Sequence, residues 1–155
     1  MTSELPPVRQ ATAADADELI RLWGTLFEDS TAEVGSEWMS NARNWFADAV
    51  RDGARARFPV VEVAGEIVAT AIGTLELGVP NPQSPRGRLV RLANVITLPT
   101  YRRRGFATAV VTDVLAWARS IDADRVDLST TADGEAVYQR VGFERTKAPR
   151  MKLVL

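Results

Sequence analysis

The sequence contains neither cysteine nor histidine among its 155 residues. The first absence excludes disulfides, thiolate zinc sites and a cysteine nucleophile. The second removes the commonest general base and metal ligand, so a Ser-His-Asp triad and an H-E-x-x-H zinc site are impossible. Net charge is nearly missing too: 19 Lys and Arg against 20 Asp and Glu leave -1. That balance gives no overall attraction to nucleic acid or to an anionic membrane. No apolar run approaches membrane-spanning length, and "MTSELPPVRQ" lacks the apolar core of a signal peptide, so a cytoplasmic location is expected. Carboxylates, tyrosine, hydroxyls, backbone amides and a bound cofactor remain to carry any chemistry. At 46% hydrophobic and 25% charged, the chain reads as one globular domain spanning residues 1–155.

Periodicity supplies the order of elements. "VRQ" (8–10) is a candidate first strand. Thr12 and Asp15 then form a capping-box-like start, followed by Ala16, Leu19, Ile20, Trp23, Leu26 and Phe27 at helical spacing. A second helix is expected from Ser36 to Asp52, with Trp38, Ala42, Trp45, Phe46 and Ala49 on one side and Gly53 after its end. Residues 58–77 read as a hairpin turning at Ala64-Gly65, and the Pro-rich stretch 78–87 as a loop. A strand over 88–97, a helix over 102–119 and a strand over 126–130 make a βαβ crossover, so the two strands are expected to be parallel. Ala107, Val110, Val111, Val114, Leu115 and Ala118 form that helix's apolar stripe, which leaves Trp117 off it, at a subunit or layer boundary. A short helix follows over Asp133–Val141, and "FERTKA" and "MKLVL" read as two closing strands. The sum is an α+β domain, a mixed sheet with helices on both faces.

The stretch "NVITLPTYRRRGFATAVV" (94–111) stands out. Cations crowd the start of a helix, where the dipole disfavours them unless an anion joins them. The first helical amides have no intrahelical partner, and Gly105 removes a side chain where a ligand would press on the backbone. A solvated charge run and a phosphate seat are the two readings, and the glycine with its preceding strand favours the second. The Walker pattern and G-x-G-x-x-G are both absent, which argues against nucleotide hydrolysis and dinucleotide redox chemistry.

Arg102-Arg103-Arg104-Gly105-Phe106-Ala107 resembles the [Q/R]-x-x-G-x-[G/A] acetyl-CoA signature of the GNAT superfamily of N-acetyltransferases. "YQRVGFE" (138–144) is similar to that family's "LYEKLGF" segment, and the order of elements corresponds over essentially the whole chain. The resemblance implies the GNAT fold, a mostly antiparallel mixed sheet whose central parallel pair splays apart. It implies acetyl-CoA as the donor, with its pyrophosphate on the amides of Arg103 to Thr108 beside Arg102, Arg104, Gly105, Phe106 and Ala107. The pantetheine arm would lie along Val95, Ile96 and Thr97, after a bulge at residues 93–95. Thr131 falls where the family often places Asn or Ser near the cofactor, with plain N-capping as the alternative.

By the same resemblance Tyr138 occupies the position that protonates the departing thiolate; packing beside Val137 and Val141 is the other reading. Glu76, acting through a water, and Asn94 are candidates for activating the amine, although a glutamate in Glu76's place is more often a solvated strand-end carboxylate. Trp23, Trp38 and Trp45 read as core, with one of them open to lining an acceptor pocket. Asp122 and Asp124 read as a turn, and no metal site is expected. The expected partner is a small-molecule or peptide amine, with no nucleic acid or membrane, and a homodimer through the C-terminal strands is left open. The rival class is an acyl-CoA-binding regulatory module without turnover. A nucleic-acid binder, reading "YRRRGF" as a basic-aromatic patch, would need a wider basic stripe than the sequence has.

Overall fold

The computed structural model describes residues 6–28 and 36–155; the leader reading of the first five residues lies outside them. The chain runs β1 (Arg9–Gln10), α1 (Ala16–Gly24), α2 (Ser36–Ala49), β2 (Ala56–Arg57), β3 (Pro59–Val63), β4 (Glu66–Leu77), β5 (Arg88–Thr97), α3 (Phe106–Ser120), β6 (Arg125–Asp127) and α4 (Glu135–Arg140). The sheet order is β1-β3-β4-β5-β6, with β2 pairing β4. Every pairing is antiparallel except β5 with β6. This is the α+β architecture expected, including the parallel pair made by a helical crossover.

Local chemistry accounts for the turns. Ala64 and Gly65 both take positive φ, 51° and 80°, the two-residue geometry that suits the twist of a tight hairpin. The loop between β4 and β5 is pinned from the other end of the crossover. The Asp124 carboxylate accepts from Ser84 Oγ at 2.7 Å, Arg86 N at 3.0 Å and Arg88 N at 3.2 Å. The turn reading of Asp122 and Asp124 therefore holds, and among the described residues no acidic cluster suits a metal ion.

Two apolar layers sandwich the sheet. On one face Leu19, Ile20, Trp23 and Phe46 from α1 and α2 pack on Val60, Ile67, Ile72 and Ile96. On the other, Val110, Val111 and Val114 of α3 pack on Val61, Val68, Val90 and Leu92. Each such side chain contributes roughly 1.5–3 kcal/mol by leaving water. Trp23, Trp45, Phe46 and Phe58 meet edge to face at centroid separations of 5.0–6.3 Å, so the tryptophans Trp23 and Trp45 are core residues. Trp38 instead meets Phe27, at 6.2 Å. Gly73 lets α3 approach β4 closely, because a Cβ there would lie 2.7 Å from Val114 Cγ1.

Several expectations are corrected. Trp117 belongs to the buried stripe of α3 at 5% exposure, and its indole N–H donates to the Gly53 carbonyl at 2.7 Å. The stripe drawn through Ala107 and Leu115 was rotated too far; Val110, Val114 and Trp117 sit at i, i+4 and i+7. The helix opens at Phe106 rather than residue 102, so the three arginines lie in the loop before it. The α4 helix is shorter than Asp133–Val141, and β6 ends at Asp127 rather than residue 130.

The closing strands over "FERTKA" and "MKLVL" do not form. Residues 144–155 are exposed, and no backbone hydrogen bond ties them to the sheet. Alternating apolar residues give a strand its tendency but not its partner, and the described residues supply none. The parallel pair consequently lies at the edge of the sheet rather than at its centre.

Candidate active site

The site begins with an irregularity in β5. On β4 the pairing steps from Ile72 to Thr70 while on β5 it steps from Ala93 to Ile96, so β5 carries one extra residue. Asn94 takes φ 49° there, which places the bulge where the sequence reading put it. The neighbouring parallel pairing stops at Arg91 opposite Asp127. From Leu92 onward β5 has no partner on its β6 side among the described residues, and the two strands part.

A cleft of about 1090 Å³ occupies this gap. Leu92, Asn94, Val95 and Thr97 wall one side, and Leu128 to Thr131 with α4 wall the other. Its mouth is the loop Arg102–Ala107 together with Thr108. Arg103 and Gly105 both adopt left-handed backbone, φ 64° and 84°, which turns successive amides toward a common point. Among the described residues no backbone carbonyl accepts from the amides of Arg103 to Thr108. Six consecutive donors beside a helix N-terminus form an anion seat. An anion gains roughly 0.3–1 kcal/mol from the dipole and about 1.5–3 kcal/mol from each charge-assisted hydrogen bond.

The three arginines diverge. Arg102 Nε donates to the Thr97 carbonyl at 3.3 Å. Arg104 stacks over Tyr101, 5.6 Å from the ring centroid, and does not line the cleft. Arg103 has no ion pair among the described residues and does line it. Ile96 also turns away, into the α1–α2 layer, so only its main chain is available to a ligand. Thr97 Oγ1 is buried with no partner. Thr131 does not cap α4, whose N-cap is Gly134 without a side-chain cap; its hydroxyl accepts from Gly134 N–H at 3.3 Å in the turn before the helix, and the residue borders the cleft.

Tyr138 lines the cleft from α4. Its ring packs edge to face on Phe143 at 5.9 Å, and burial pushes its phenol above the ordinary tyrosine value. A second cleft, of about 600 Å³, lies on its other side and shares Leu128, Ser129 and Thr130 with the first. Glu76 borders neither. Its carboxylate lies 3.5 Å from Arg91 Nε, and its Cα is opposite Leu89, five residues short of Asn94, or about 16 Å along the strand. The structure therefore brings Asn94 and Tyr138 to one cleft and leaves Glu76 outside it. The sequence reading missed Leu26, Asp133 and Arg140, which also border the large cleft. Only Arg140 left a signal, as a cation two residues beyond the tyrosine.

The site thus combines a mixed sheet, a parted parallel pair and a run of unpartnered amides beside the cleft between them. The sequence profile of the Acetyltransferase (GNAT) family matches residues 17–143, and the chain belongs to that family. Solved structures with the same fold include a predicted acetyltransferase from Clostridium acetobutylicum with acetyl-CoA, at TM-score 0.83 and 22% identity, covering 96% of this chain and 95% of that one. Glucosamine-6-phosphate N-acetyltransferase from Arabidopsis thaliana superposes at TM-score 0.76 with 20% identity, covering 97% and 99%. AAC(6')-Iy in complex with a bisubstrate analogue superposes at 0.78 with 16% identity, covering 96% and 97%. No curated protein sequence matches the chain.

Proposed function

We propose that the protein transfers the acetyl group of acetyl-CoA directly to the primary amine of an acceptor. The observation that carries this reading is the run of six amides, unpartnered among the described residues, beside a cleft that Tyr138 also lines. The cleft fits the donor on its own chemistry. The amides of Arg103 to Thr108 hold the pyrophosphate, with Arg103 beside them. The orphaned Thr97 hydroxyl and the free edge of β5 meet the pantetheine arm. Bound acetyl-CoA supplies an activated thioester carbonyl.

The chain's residues do the rest by position. A main-chain amide of β5 near Val95 donates to the carbonyl oxygen as charge develops there. The Tyr138 hydroxyl donates to the departing sulfur, an arrangement its raised pKa preserves by keeping the phenol neutral. With no histidine in the chain and Glu76 outside the cleft, the attacking amine gives its proton to water, which Asn94 orients.

A thiol-release assay with purified protein, acetyl-CoA and a panel of amines tests the reading. Acceptor-dependent release of CoA is the expected result. Tight acetyl-CoA binding with no release across the panel would favour the regulatory module instead.

We further propose a homodimer built on the C-terminal tail. Met151, Leu153, Val154 and Leu155 are each more than 80% exposed, and the outer edge of β6 has no partner strand among the described residues. An apolar segment with strand character and an open strand edge complete one another across a two-fold. Sedimentation velocity is expected to give a dimer for the full chain and a monomer for a chain ending at Arg150. A monomeric full chain at 100 μM, as an order-of-magnitude loading, would refute this.

A further inference from the structure

The outer edge of β6 has a hollow on each face of the sheet. On the α3 side a cleft of about 500 Å³ is walled by Leu115, Ala118 and Val141. On the opposite side lies the cleft of about 600 Å³ beside Tyr138. It takes in Arg91 and Asp127, partners in the parallel register that alternate with Val90 and Val126 of the α3 layer. Val126, Asp127, Phe143 and Glu144 line both hollows, so the strand edge is the rib between them. A bare edge with a hollow above and another below is the imprint of an absent strand. The main chain of such a strand pairs with the edge, and its side chains drop alternately into the two hollows.

The chain carries a segment of this kind and leaves it unused. Arg145, Thr146 and Arg150 still wall the Tyr138 cleft. Residues 151–155 line neither hollow, lie exposed and make no backbone hydrogen bond among the described residues. In "MKLVL" strand parity puts Met151, Leu153 and Leu155 on one side and Lys152 and Val154 on the other. The tail has passed its own edge and left it, while an identical edge stands free on a second copy. A two-fold axis satisfies two tails and two edges together. We infer that the tail of a second copy lies along β6 and walls the Tyr138 cleft with Lys152 and Val154, so that each transfer site is finished by residues of the other chain. Met151, Leu153 and Leu155 then fill the apolar hollow on the α3 side. The inference rests on the acetyl-transfer and dimer readings and adds what neither contains, a composite site. Tyr138 borders the donor cleft as well, so covering its second side excludes water from the phenol that faces the thioester. Turnover is thereby tied to association.

A chain without cysteine makes the placement directly testable. One full-length chain carries Ala132→Cys, in the Tyr138 cleft, and another carries Val154→Cys, in the tail. Treated with a short bismaleimide, their mixture should yield a covalent dimer whose joined peptide, identified by mass spectrometry, links positions 132 and 154. Closure within a single doubly substituted chain would place the tail on its own edge and overturn the inference, as would the lack of any such link. Activity supplies the second arm, with whichever amine gives the fastest CoA release. Leu153→Asp in the full chain should lower release at least about tenfold without changing the acetyl-CoA Kd or the far-UV circular dichroism. Mixing it with Tyr138→Phe chains should raise release at least about tenfold above the two separate chains, because one site of the mixed dimer pairs an intact tyrosine with an intact tail. A monomeric Leu153→Asp chain with wild-type turnover would overturn the composite site. So would no recovery in a mixture whose cross-linking shows the mixed dimer. A wild-type chain that releases no CoA with any amine removes the acetyl-transfer reading, and the composite site with it; a link between 132 and 154 in that case leaves the dimer standing.

Discussion

Gly105→Glu is expected to raise the Kd for acetyl-CoA at least about 100-fold, some 2.7 kcal/mol, with the far-UV circular dichroism spectrum unchanged. Two effects combine. The new carboxylate enters a seat built from amide donors and the positive end of α3, and cancels the field that attracts a pyrophosphate. It also places a Cβ on a residue at φ 84°, at a backbone cost of about 1–2 kcal/mol. Gly105→Asn separates the two, because asparagine tolerates this backbone region and carries no charge. It should lose less than about fivefold, a small fraction of the electrostatic term. Isothermal titration calorimetry measures both variants. Equal losses would assign the effect to strain, and no loss in Gly105→Glu would remove the loop from the donor site altogether.

Tyr138→Phe should lower kcat by roughly 10²-fold while leaving the acetyl-CoA Kd within about twofold. The ring's packing on Phe143 survives the change, so the loss isolates the hydroxyl. The pH profile carries the sign. Burial raises the phenol's pKa above the usual value of about 10, so the donor form persists through neutral and moderately alkaline pH. The wild-type rate should therefore show no limb from this group below pH 10, and fall only above it. A variant with unchanged kcat, or an acid-side limb that vanishes with the hydroxyl, would contradict the assignment.

The sequence was most informative where a local rule has a single structural solution. The hairpin turn at Ala64-Gly65 and the strand over 88–97 followed from turn chemistry and from the crossover, whereas the bulge near Asn94 was legible only through the resemblance. The parting of β5 from β6 was legible only through resemblance, because main-chain recognition leaves little mark on side chains. Trp117 shows a different limit. An indole can lie at the margin of a stripe and still be buried when a glycine opposite, Gly73, makes room for it. The tail over 151–155 has a strand's alternation but lacks a neighbour, and pairing is a property of two segments, which one segment's composition cannot specify. Glu76 lies outside the cleft for a metric reason: its place at the end of a long strand puts it opposite Leu89, five residues from Asn94.

The extra residue in β5 changes parity along a single ribbon. Before Asn94 the even-numbered side chains Val90 and Leu92 look toward α3; after it Ile96 looks toward α1 and α2. A chain lacking Asn94 would keep every one of those side chains in its present layer, and only the outward lean of the backbone would go. Hydrophobic packing is thus indifferent to the presence of this asparagine, and its effect falls on the fissure between β5 and β6 rather than on the two layers.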